Sequence, residues 1–263
     1  MNKPAARPAP LVIKVGGGDE LDLPDLCGQI KRLRNHHPVV IVHGGGRALS
    51  AELDRSGVRT RFVDGLRYTD EQVLEAAIKV FCGTVGKEIV RALSRTGVAA
   101  AGISGIDGGS VRVSPEPSGR LGRVGQVEAV ETGLIDALLA ARITPVVAPL
   151  GLDARGQVYN VNADSIAGAV ARALGAGALV FVSNVPGVLD REGRTVKLVT
   201  PQIAAELQRS GAVDGGMIPK LQSALELLDH VGSVHIVDGA RAGSIENALV
   251  GGQGGTRFAA AGS

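Results

Sequence analysis

Short apolar runs that end in glycine-rich or polar loops most constrain the fold of this 263-residue chain. Each run is rich in Val, Ile or Leu and lacks polar alternation, which is typical of strands covered on both faces. A weaker run, Ala99–Ile103, follows the same pattern. Helical patterns separate the runs, so the sequence predicts βαβ units and a mostly parallel sheet. The clear runs are Leu11–Val15, Val39–Val42, Pro145–Ala148, Ala178–Val182 and Val234–Val237.

Helix starts are predicted where a capping residue precedes a helical apolar pattern. Thr69-Asp70-Glu71-Gln72 fits a capping box, and the helix that follows runs to about Arg95, with an expected break near Gly83–Gly86. Val111–Gln126 alternates short Val-containing pieces with polar residues, which predicts hairpins or loops on the rim of the sheet. The other expected helices are Arg47–Asp54, a segment capped by Asn162 or Asp164 that ends near Arg172, a segment from Thr200-Pro201 to Gln208, and Ile218–Leu228.

Composition argues against several classes of protein. The formal net charge of +2 does not suit a dedicated nucleic-acid binder. No apolar run approaches the roughly 18 residues that span a bilayer, and the first ten residues lack the apolar stretch of a secretory signal. Cys27 and Cys82 are too few for a disulfide framework, which indicates a reducing compartment. We therefore expect a cytoplasmic α/β protein, one compact unit whose two lobes divide near Gly151.

Two glycine loops favour a phosphate-binding site. Lys14-Val15-Gly16-Gly17-Gly18 ends the first apolar run, and His43-Gly44-Gly45-Gly46 ends the second. Glycines at the carboxyl ends of parallel strands let backbone amides approach an anion, and a following helix adds partial positive charge. Either loop alone could be only a tight turn, but the pair, with a lysine at one strand end, favours phosphate. The chain has no GxGxxG after a strand and no GxxxxGK[ST], so a Rossmann dinucleotide site and a P-loop are disfavoured.

Three charged residues suit phosphoryl transfer, which needs cations on the moving phosphoryl group and on the leaving group. Lys14 interrupts an apolar run, and its burial would be costly without an anionic partner. Lys220 follows a glycine pair and starts a helix, and Asp164 between the two lysines would hold both cations in place. The ordinary alternatives are a solvated surface lysine at 220 and a simple helix cap at 164.

Arg67 and Asn160 are candidates for substrate recognition. Arg67 precedes a helix cap and could clamp a carboxylate with its planar guanidinium, or it could be a surface arginine. Asn160 could hydrogen-bond a substrate carboxylate or amide. His43 is the histidine nearest a candidate site, where it would orient the loop rather than perform chemistry. The sequence has no GxSxG motif, no plausible Cys–His nucleophile site and no histidine pair at metal-ligand spacing, so hydrolytic chemistry is not expected.

Ordered motifs along nearly the whole chain, from Leu11 to Thr256, resemble the amino acid kinase superfamily and, within it, the acetylglutamate kinase branch. The resemblance implies an open αβα sandwich around a mainly parallel sheet. It implies one domain over residues 1–263, with an acyl-amino-acid lobe at about 11–150 and an ATP lobe at about 151–258. The motifs are Ile13-Lys14-Val15-Gly16-Gly17, Val42-His43-Gly44-Gly45-Gly46, Gly65-Leu66-Arg67-Tyr68-Thr69-Asp70, Asn160-Val161-Asn162-Ala163-Asp164, Val185-Pro186-Gly187-Val188 and Gly216-Met217-Ile218-Pro219-Lys220.

The resemblance also implies a reaction: ATP with Mg²⁺ would phosphorylate the side-chain carboxylate of N-acetyl-L-glutamate, and the enzyme would be a homodimer. Lys14 and Lys220 would stabilise the transition state, Asp164 would organise the two lysines, and the protein itself would supply no metal ligand. A glutamate carboxyl titrates near 4.3 and is already ionised, so no general base is needed. The substrate contacts would be Gly44, Gly45, Arg67 and Asn160, and the nucleotide contacts Gly16, Gly17, Asn184, Val185, Pro186, Gly187, Val188, Leu189, Ala212, Val213 and Asp214.

The chain departs from the acetylglutamate kinase pattern at a few positions. Ile106 stands where the branch usually has a lysine, and Asn184 stands where aspartate is common. These residues and Phe81-Cys82-Gly83 resemble sister kinases that act on 2-aminoadipate held by a small acidic carrier protein, whereas Gly65-Leu66-Arg67 is the acetylglutamate kinase form. The carrier-linked kinase is the alternative hypothesis. A non-catalytic regulator on the same fold is disfavoured by the retained charges. Candidate contacts for a carrier are Arg112, Arg120 and Arg123.

Overall fold

The structure is a computed structural model that describes residues 8–16, 22–63, 65–213, 217–252 and 254–260. Within these ranges no helix is both long and apolar enough to cross a membrane. The strands are β1 (Leu11–Val15), β2 (Val39–His43), β3 (Phe62–Val63), β4 (Leu66–Arg67), β5 (Ala100–Ser104), β6 (Val111–Pro115), β7 (Val124–Val130), β8 (Thr144–Ala148), β9 (Leu150–Leu152), β10 (Val158–Val161), β11 (Ala178–Ser183), β12 (Leu198–Val199), β13 (Val234–Asp238) and β14 (Thr256–Phe258). The helices are α1 (Leu23–Leu33), α2 (Gly46–Arg55), α3 (Glu71–Ile78), a π-helix (Lys79–Val85), α4 (Gly86–Arg95), a short 3₁₀ turn (Asp107–Gly109), α5 (Gly133–Ala140), α6 (Ala163–Ala173), α7 (Pro201–Arg209), α8 (Met217–Glu226) and α9 (Ser244–Gly251).

An eight-stranded sheet with the order β12-β14-β13-β11-β1-β2-β8-β5 forms the centre of the described chain. Neighbouring strands are parallel, except that β13 and β14 are antiparallel. All the predicted apolar runs, including the weaker one, are strands of this sheet. The predicted α/β fold with a mainly parallel sheet is therefore confirmed.

Both faces of the sheet are buried, because successive residues of the central strands point to opposite faces and those on each face are apolar. In β1, Val12 packs into one hydrophobic cluster while Ile13 and Val15 pack into the other. Residues of α5, α6, α7 and α8 complete the first cluster, and residues of α1, α4 and α9 complete the second. Full burial of such aliphatic side chains contributes roughly 1.5–3 kcal/mol each, which holds the helices on both faces of the sheet.

The long helix predicted to run to Arg95 was expected to break near Gly83–Gly86, and that expectation is wrong. The chain passes from α3 through the π-helix into α4 without leaving helical backbone. A π-helix widens the turn and accommodates an extra residue inside a continuous helix. The small residues in this segment are therefore part of the wide turn rather than a helix stop.

The helix caps agree with the sequence at two positions and differ at one. Asn162 caps α6 by accepting from the Asp164 amide at 2.8 Å, and the Thr200 hydroxyl accepts an amide in the first turn of α7. The predicted cap at Thr69 is wrong: Asp70 caps α3 through its carboxylate. The Thr69 hydroxyl is engaged elsewhere, because it donates to the Arg67 carbonyl at 3.1 Å.

The rim segment Val111–Gln126 contributes to a small second sheet, as its hairpin pattern predicted. Strands β6 and β7 pair antiparallel and close a barrel with β9 and β10. Gly151, where two lobes were expected to divide, lies inside β9 of this barrel. The barrel matters for function because β10 leads directly into α6, which places Asn160 and Asp164 on adjoining elements.

Candidate active site

Most of the predicted site residues meet at the carboxyl ends of the central strands. The loops after β1 and β2 are joined where the Gly44 amide donates to the Val15 carbonyl at 2.9 Å. Asn184 follows β11, the strand on the other side of β1. Gly17 and Asp214, both predicted to contact nucleotide, lie outside the described residues.

Asp164 joins the two predicted lysines. Its Oδ1 lies 2.7 Å from Lys14 Nζ, and its Oδ2 lies 3.1 Å from Lys220 Nζ. The exposed fractions of the three side chains are 17% for Asp164, 12% for Lys14 and 27% for Lys220. The site thus holds two ammonium groups with one carboxylate, and its uncompensated positive charge suits a polyanion. The surface alternative for Lys220 and the cap-only alternative for Asp164 both fail.

The position of each charged group follows from its element. Lys14 lies in a central strand, flanked in register by Val42 and Phe181, so most of its stem is removed from water. Asp164 lies in the first turn of α6, and the Asn162 side chain fixes the start of that helix. A helix amino terminus also stabilises the negative charge of a carboxylate placed there.

Electrostatics keep Asp164 ionised. Burial alone would raise the pKa of this carboxyl, but the adjacent Lys14 and Lys220 outweigh burial and hold its pKa below the ordinary value. An Asp164 that is ionised at neutral pH keeps both ammonium groups in place before a ligand arrives. Such preorganisation is what stabilises charge that develops during a reaction.

A cavity of about 210 Å³ beside these charges contains all of the predicted substrate contacts. Gly44, Gly45, Arg67 and Asn160 line it, and it extends to Ala163, the residue before Asp164. The remaining wall is largely apolar. Its other members are Leu49, Phe62, Leu66, Phe81, Val124, Pro149 and Val161, together with Gly46, Gly65 and Asn162.

Arg67 is held rigidly at the edge of this cavity. Its guanidinium donates to the Gly46 carbonyl at 3.0 Å, to the Ser50 hydroxyl at 2.7 Å and to the Thr60 hydroxyl at 3.1 Å. It also lies 4.8 Å from the Phe62 ring centroid, and burial lowers its pKa. Arg67 is therefore a fixed cation at the cavity, not a mobile surface arginine.

The amino terminus of α2 provides a second electropositive feature of the cavity. Its cap is Gly45, which offers no side-chain hydrogen bond, and its first turn contains no acidic residue. Amide donors of an uncapped first turn remain available to an anion. The second glycine loop therefore has the geometry that its sequence predicted, and Arg67 joins it through the Gly46 carbonyl.

Phe81 is a cavity residue whose role the sequence analysis missed. A Cβ at Gly45 would lie 2.7 Å from Phe81 Cδ1, so glycine is required for this close approach. Phe81 belongs to the π-helix, whose widened turn brings the ring to the glycine loop. The only sequence signal for this contact is a large apolar residue that lies shortly before the small residues of Gly83–Gly86.

His43 contacts the loop that follows it. Its buried ring donates from Nδ1 to the Gly44 carbonyl at 2.7 Å, and burial lowers its pKa. The neutral ring therefore leaves Nε2 unprotonated, and this atom has no hydrogen-bond partner among the described residues. The expectation that His43 orients the loop is consistent with this contact.

The predicted nucleotide loop after β11 mixes exposed and buried residues. Asn184 and Pro186 are exposed, whereas the side chain of Val188 is buried in the core. The amide of Val188 already donates a hydrogen bond to the Thr256 hydroxyl at 2.8 Å. Gly187 has φ 142°, and a Cβ there would lie 2.5 Å from the Thr256 hydroxyl oxygen. Val185 and Leu189 are half-buried, as are Gly16 and Ala212, while Val213 is buried in the core.

The arginines considered for a carrier protein already have partners. Arg123 contacts Glu71 at 2.6 Å and also donates to Gln157, and Arg112 lies 3.9 Å from Glu131. Arg120 also has interactions within the chain. None of the three arginines is therefore an unpaired cation at this rim.

Comparison with known proteins identifies the class. A match to the amino acid kinase family covers residues 9–238, and the chain belongs to that family. It is 47% identical over 248 residues to the acetylglutamate kinase of Rubrobacter xylanophilus, covering 94% of this chain and 95% of the relative. It is 49% identical to the acetylglutamate kinase of Chloroflexus aurantiacus, covering 86% and 91% of the two chains. Within the family, the chain therefore groups with the acetylglutamate kinases, and these relatives support that branch rather than the carrier-linked alternative.

A solved structure agrees with this assignment of the fold. The smu.665 protein from Streptococcus mutans superposes with a TM-score of 0.81 at 29% sequence identity. The alignment covers 95% of this chain and 98% of that one. The likeness therefore extends over nearly the whole chain rather than over one motif.

Proposed function

We propose that this enzyme transfers the γ-phosphoryl group of ATP to the side-chain carboxylate of N-acetyl-L-glutamate and releases N-acetylglutamyl 5-phosphate and ADP. The observation that carries this proposal is the placement of Lys14 and Lys220 on one carboxylate, beside a cavity lined by Arg67 and Asn160. The identity of the substrate is inferred from the acetylglutamate kinases to which the chain is similar. The site supplies the charges that the reaction needs.

The nucleophile needs no base from the protein. A glutamate side chain is ionised at neutral pH, since its carboxyl titrates near 4.3. One of its oxygens attacks the γ-phosphorus as the bond to the β,γ-bridging oxygen breaks, and ADP leaves with that electron pair. The neutral, buried His43 is accordingly left to shape the loop.

Lys14 and Lys220 act on the charge of the transferring group. Negative charge spreads over the equatorial phosphoryl oxygens and the leaving oxygen in the transition state. Ammonium groups fixed by Asp164 meet that charge without reorganising, and such groups contribute more in a site that is mostly removed from water. Asp164 is thus a positioning residue for the two lysines.

The cavity provides recognition of the acyl-amino acid. Arg67 and the first turn of α2 supply positive electrostatic potential for the α-carboxylate. Asn160, whose amide donates to the Thr69 hydroxyl at 3.1 Å, retains its carbonyl oxygen for the substrate amide. Phe81 and Leu49 provide apolar surface for the methylene chain and the acetyl methyl.

ATP would be held at the carboxyl ends of β1 and β11. The backbone of Gly16, the loop residues Asn184–Pro186 and Ala212 would contact it, while the buried Val188 and Val213 support the loops from the core. Gly17 and Asp214 are included on sequence grounds alone. Mg²⁺ would neutralise phosphate charge when bound with ATP, and its ligands would come mainly from phosphate oxygens and water. The described residues include no group of three His, Cys, Asp or Glu side chains that could hold a metal ion.

The decisive experiment measures ADP release with two acceptors. N-acetylglutamate should support ATP turnover, and 2-aminoadipate linked to a small acidic carrier protein should not. The hydroxamate formed from the acyl phosphate identifies the phosphorylated carboxyl. Turnover only with the carrier-linked acceptor would contradict the proposal, and turnover with neither would show that the fold serves another role.

A further inference from the structure

A second cavity lies at the amino-terminal ends of the central strands, whereas the active site lies at their carboxyl ends. It has a volume of about 300 Å³ and is lined at its base by Val39 and Thr144, where β2 and β8 begin. The active-site loops follow the carboxyl ends of these strands. Five-residue strands span roughly 15 Å, so the two cavities are separate. We call this the basal cavity.

Two arginines give the basal cavity a positively charged lining. Arg34, His36, His37 and Arg142 line it, and none of its described lining residues is Asp or Glu. The described chain therefore brings cationic groups together here without a compensating anion.

The two arginines are close enough to influence each other. The guanidinium of Arg34 donates to the Arg142 carbonyl, and burial together with the positive charge of Arg142 lowers the pKa of Arg34. Arg142 has no ion pair or side-chain hydrogen bond among the described residues. Like charges held together are unfavourable unless an anion is shared between them, and a guanidinium pair matches phosphate oxygens in geometry.

The backbone at Arg142 gives an independent observation. Its φ is 58°, in the left-handed region, and it is the residue at which the chain turns out of α5. Its amide donates to the Leu139 carbonyl and the Ile143 amide donates to the Leu138 carbonyl, a turn that usually places glycine at this position. Glycine would adopt this left-handed backbone without strain. An arginine at this position therefore indicates that its side chain has a function.

A buried polar group lies in the same wall. Thr144 is 1% exposed, and its hydroxyl has no hydrogen-bond partner among the described residues. Buried hydroxyls without partners are uncommon and call for an explanation. The Thr144 hydroxyl is thus an unsatisfied polar group in the wall that also contains Arg34 and Arg142.

From these features we infer that the basal cavity is a second binding site, for a small molecule that carries a phosphate group. The guanidinium groups of Arg34 and Arg142 bind the phosphate oxygens, and His36 and His37 line the side of the site. The site is independent of the phosphoryl-transfer centre, because neither arginine lies among the cavity residues at the carboxyl ends of the strands.

The test is titration calorimetry with pyrophosphate, without Mg²⁺, on wild type and Arg142→Gly. Glycine suits the left-handed backbone, so the variant should melt at or above the wild-type temperature and retain wild-type turnover. Its affinity for pyrophosphate at this site should fall about tenfold or more, because charge-assisted hydrogen bonds are lost. Arg155→Gln, at an exposed turn, serves as the matched control and should bind as wild type does.

Pyrophosphate can also bind at the active site, which is the same in wild type and in every variant. A difference between their titrations therefore reports binding in the basal cavity. Arg34→Gln should reproduce the loss. Equal titrations for wild type and Arg142→Gly would overturn the inference, as would equal losses in Arg155→Gln. Binding of succinate with no difference for pyrophosphate would overturn the proposed ligand class.

Discussion

At the scale of single residues, this protein depends on one carboxylate shared by two lysines. Removing both ions of a buried pair from water is expensive, and the attraction repays that cost only when the geometry is good. Asp164 meets the condition by using separate oxygens for Lys14 and Lys220, at 2.7 and 3.1 Å. The lysines are consequently fixed, and each is expected to act on the reaction rather than on folding alone.

Lys220→Ala should lower kcat by on the order of 10²–10³-fold and change the KM for N-acetylglutamate little. Lys220 is expected to meet charge that develops in the transition state, and such interactions affect kcat more than ground-state binding. Steady-state ADP release measures both constants. Lys197→Ala removes an exposed lysine and is the control. Wild-type kcat in a folded Lys220→Ala variant would remove Lys220 from the mechanism.

Arg67→Lys should weaken N-acetylglutamate binding and leave ATP affinity nearly unchanged. Lysine retains the positive charge but loses the planar fork that bonds Gly46, Ser50 and Thr60. Calorimetry with each ligand separates the two effects, and Arg155→Lys controls for the change of residue type. Equal losses for both ligands would show that Arg67 is not a substrate clamp.

At the scale of elements, buried polar residues tie stability to pH. His235 lies in β13, where burial, together with the charge of Arg257, lowers the pKa of its imidazole to about 4. The unfolded chain takes up this proton near 6.5, the folded chain only near 4. The contribution of the neutral ring is therefore complete above pH 6.5 and is lost as the pH falls toward 4.

His235→Gln should flatten the pH dependence of stability between pH 7 and 4. Wild type should lose about 3 kcal/mol more than the variant over this window, from roughly 1.4 kcal/mol for each unit of pKa difference. Urea unfolding at a series of pH values gives the free energies, and His36→Gln, an exposed histidine, is the control. Parallel losses in wild type and His235→Gln would assign the acid sensitivity to other groups.

At the scale of the whole molecule, the eight-stranded sheet has an edge that the described chain leaves open. Strand β5 pairs only with β8, and most of its residues are half-buried. Open edges of this kind offer backbone donors and acceptors to another strand. This edge gives a second copy of the chain a surface on which the sheet could continue.

Light scattering should accordingly give twice the 26.8 kDa mass of the chain. Ser104→Pro would not test the edge, because Ser104 also donates to Asp107. Ala100→Pro instead removes a β5 amide that faces the open edge and lies outside the active site, because in this register the amide of Ala101 points toward Thr144 of β8. We expect this variant to lower the dimer fraction, whereas Ala154→Pro, in an exposed turn, should not. A monomeric wild type at micromolar concentration would refute the dimer.

The sequence alone predicted six of the eight strands of the central sheet, because an unbroken apolar run has few other ways to bury itself. The short strands β12 and β14 lack such a run and were not predicted. It also predicted the cap at Thr200 and offered Asn162 or Asp164 as the cap of α6, since a cap involves residues only a few positions apart. The lysines and Asp164 could be named as candidates from their local patterns, and their motifs together indicated the family.

Only the tertiary structure decided which residues touch across long separations. The contacts of Lys14 with Asp164 and of Phe81 with Gly45 depend on how several elements pack, which no local pattern encodes. The same reason explains the wrong cap: Thr69 is engaged with Arg67 and with Asn160, which is distant in sequence. Local propensity therefore determines where helices and strands form, and tertiary packing determines which side chains contact one another.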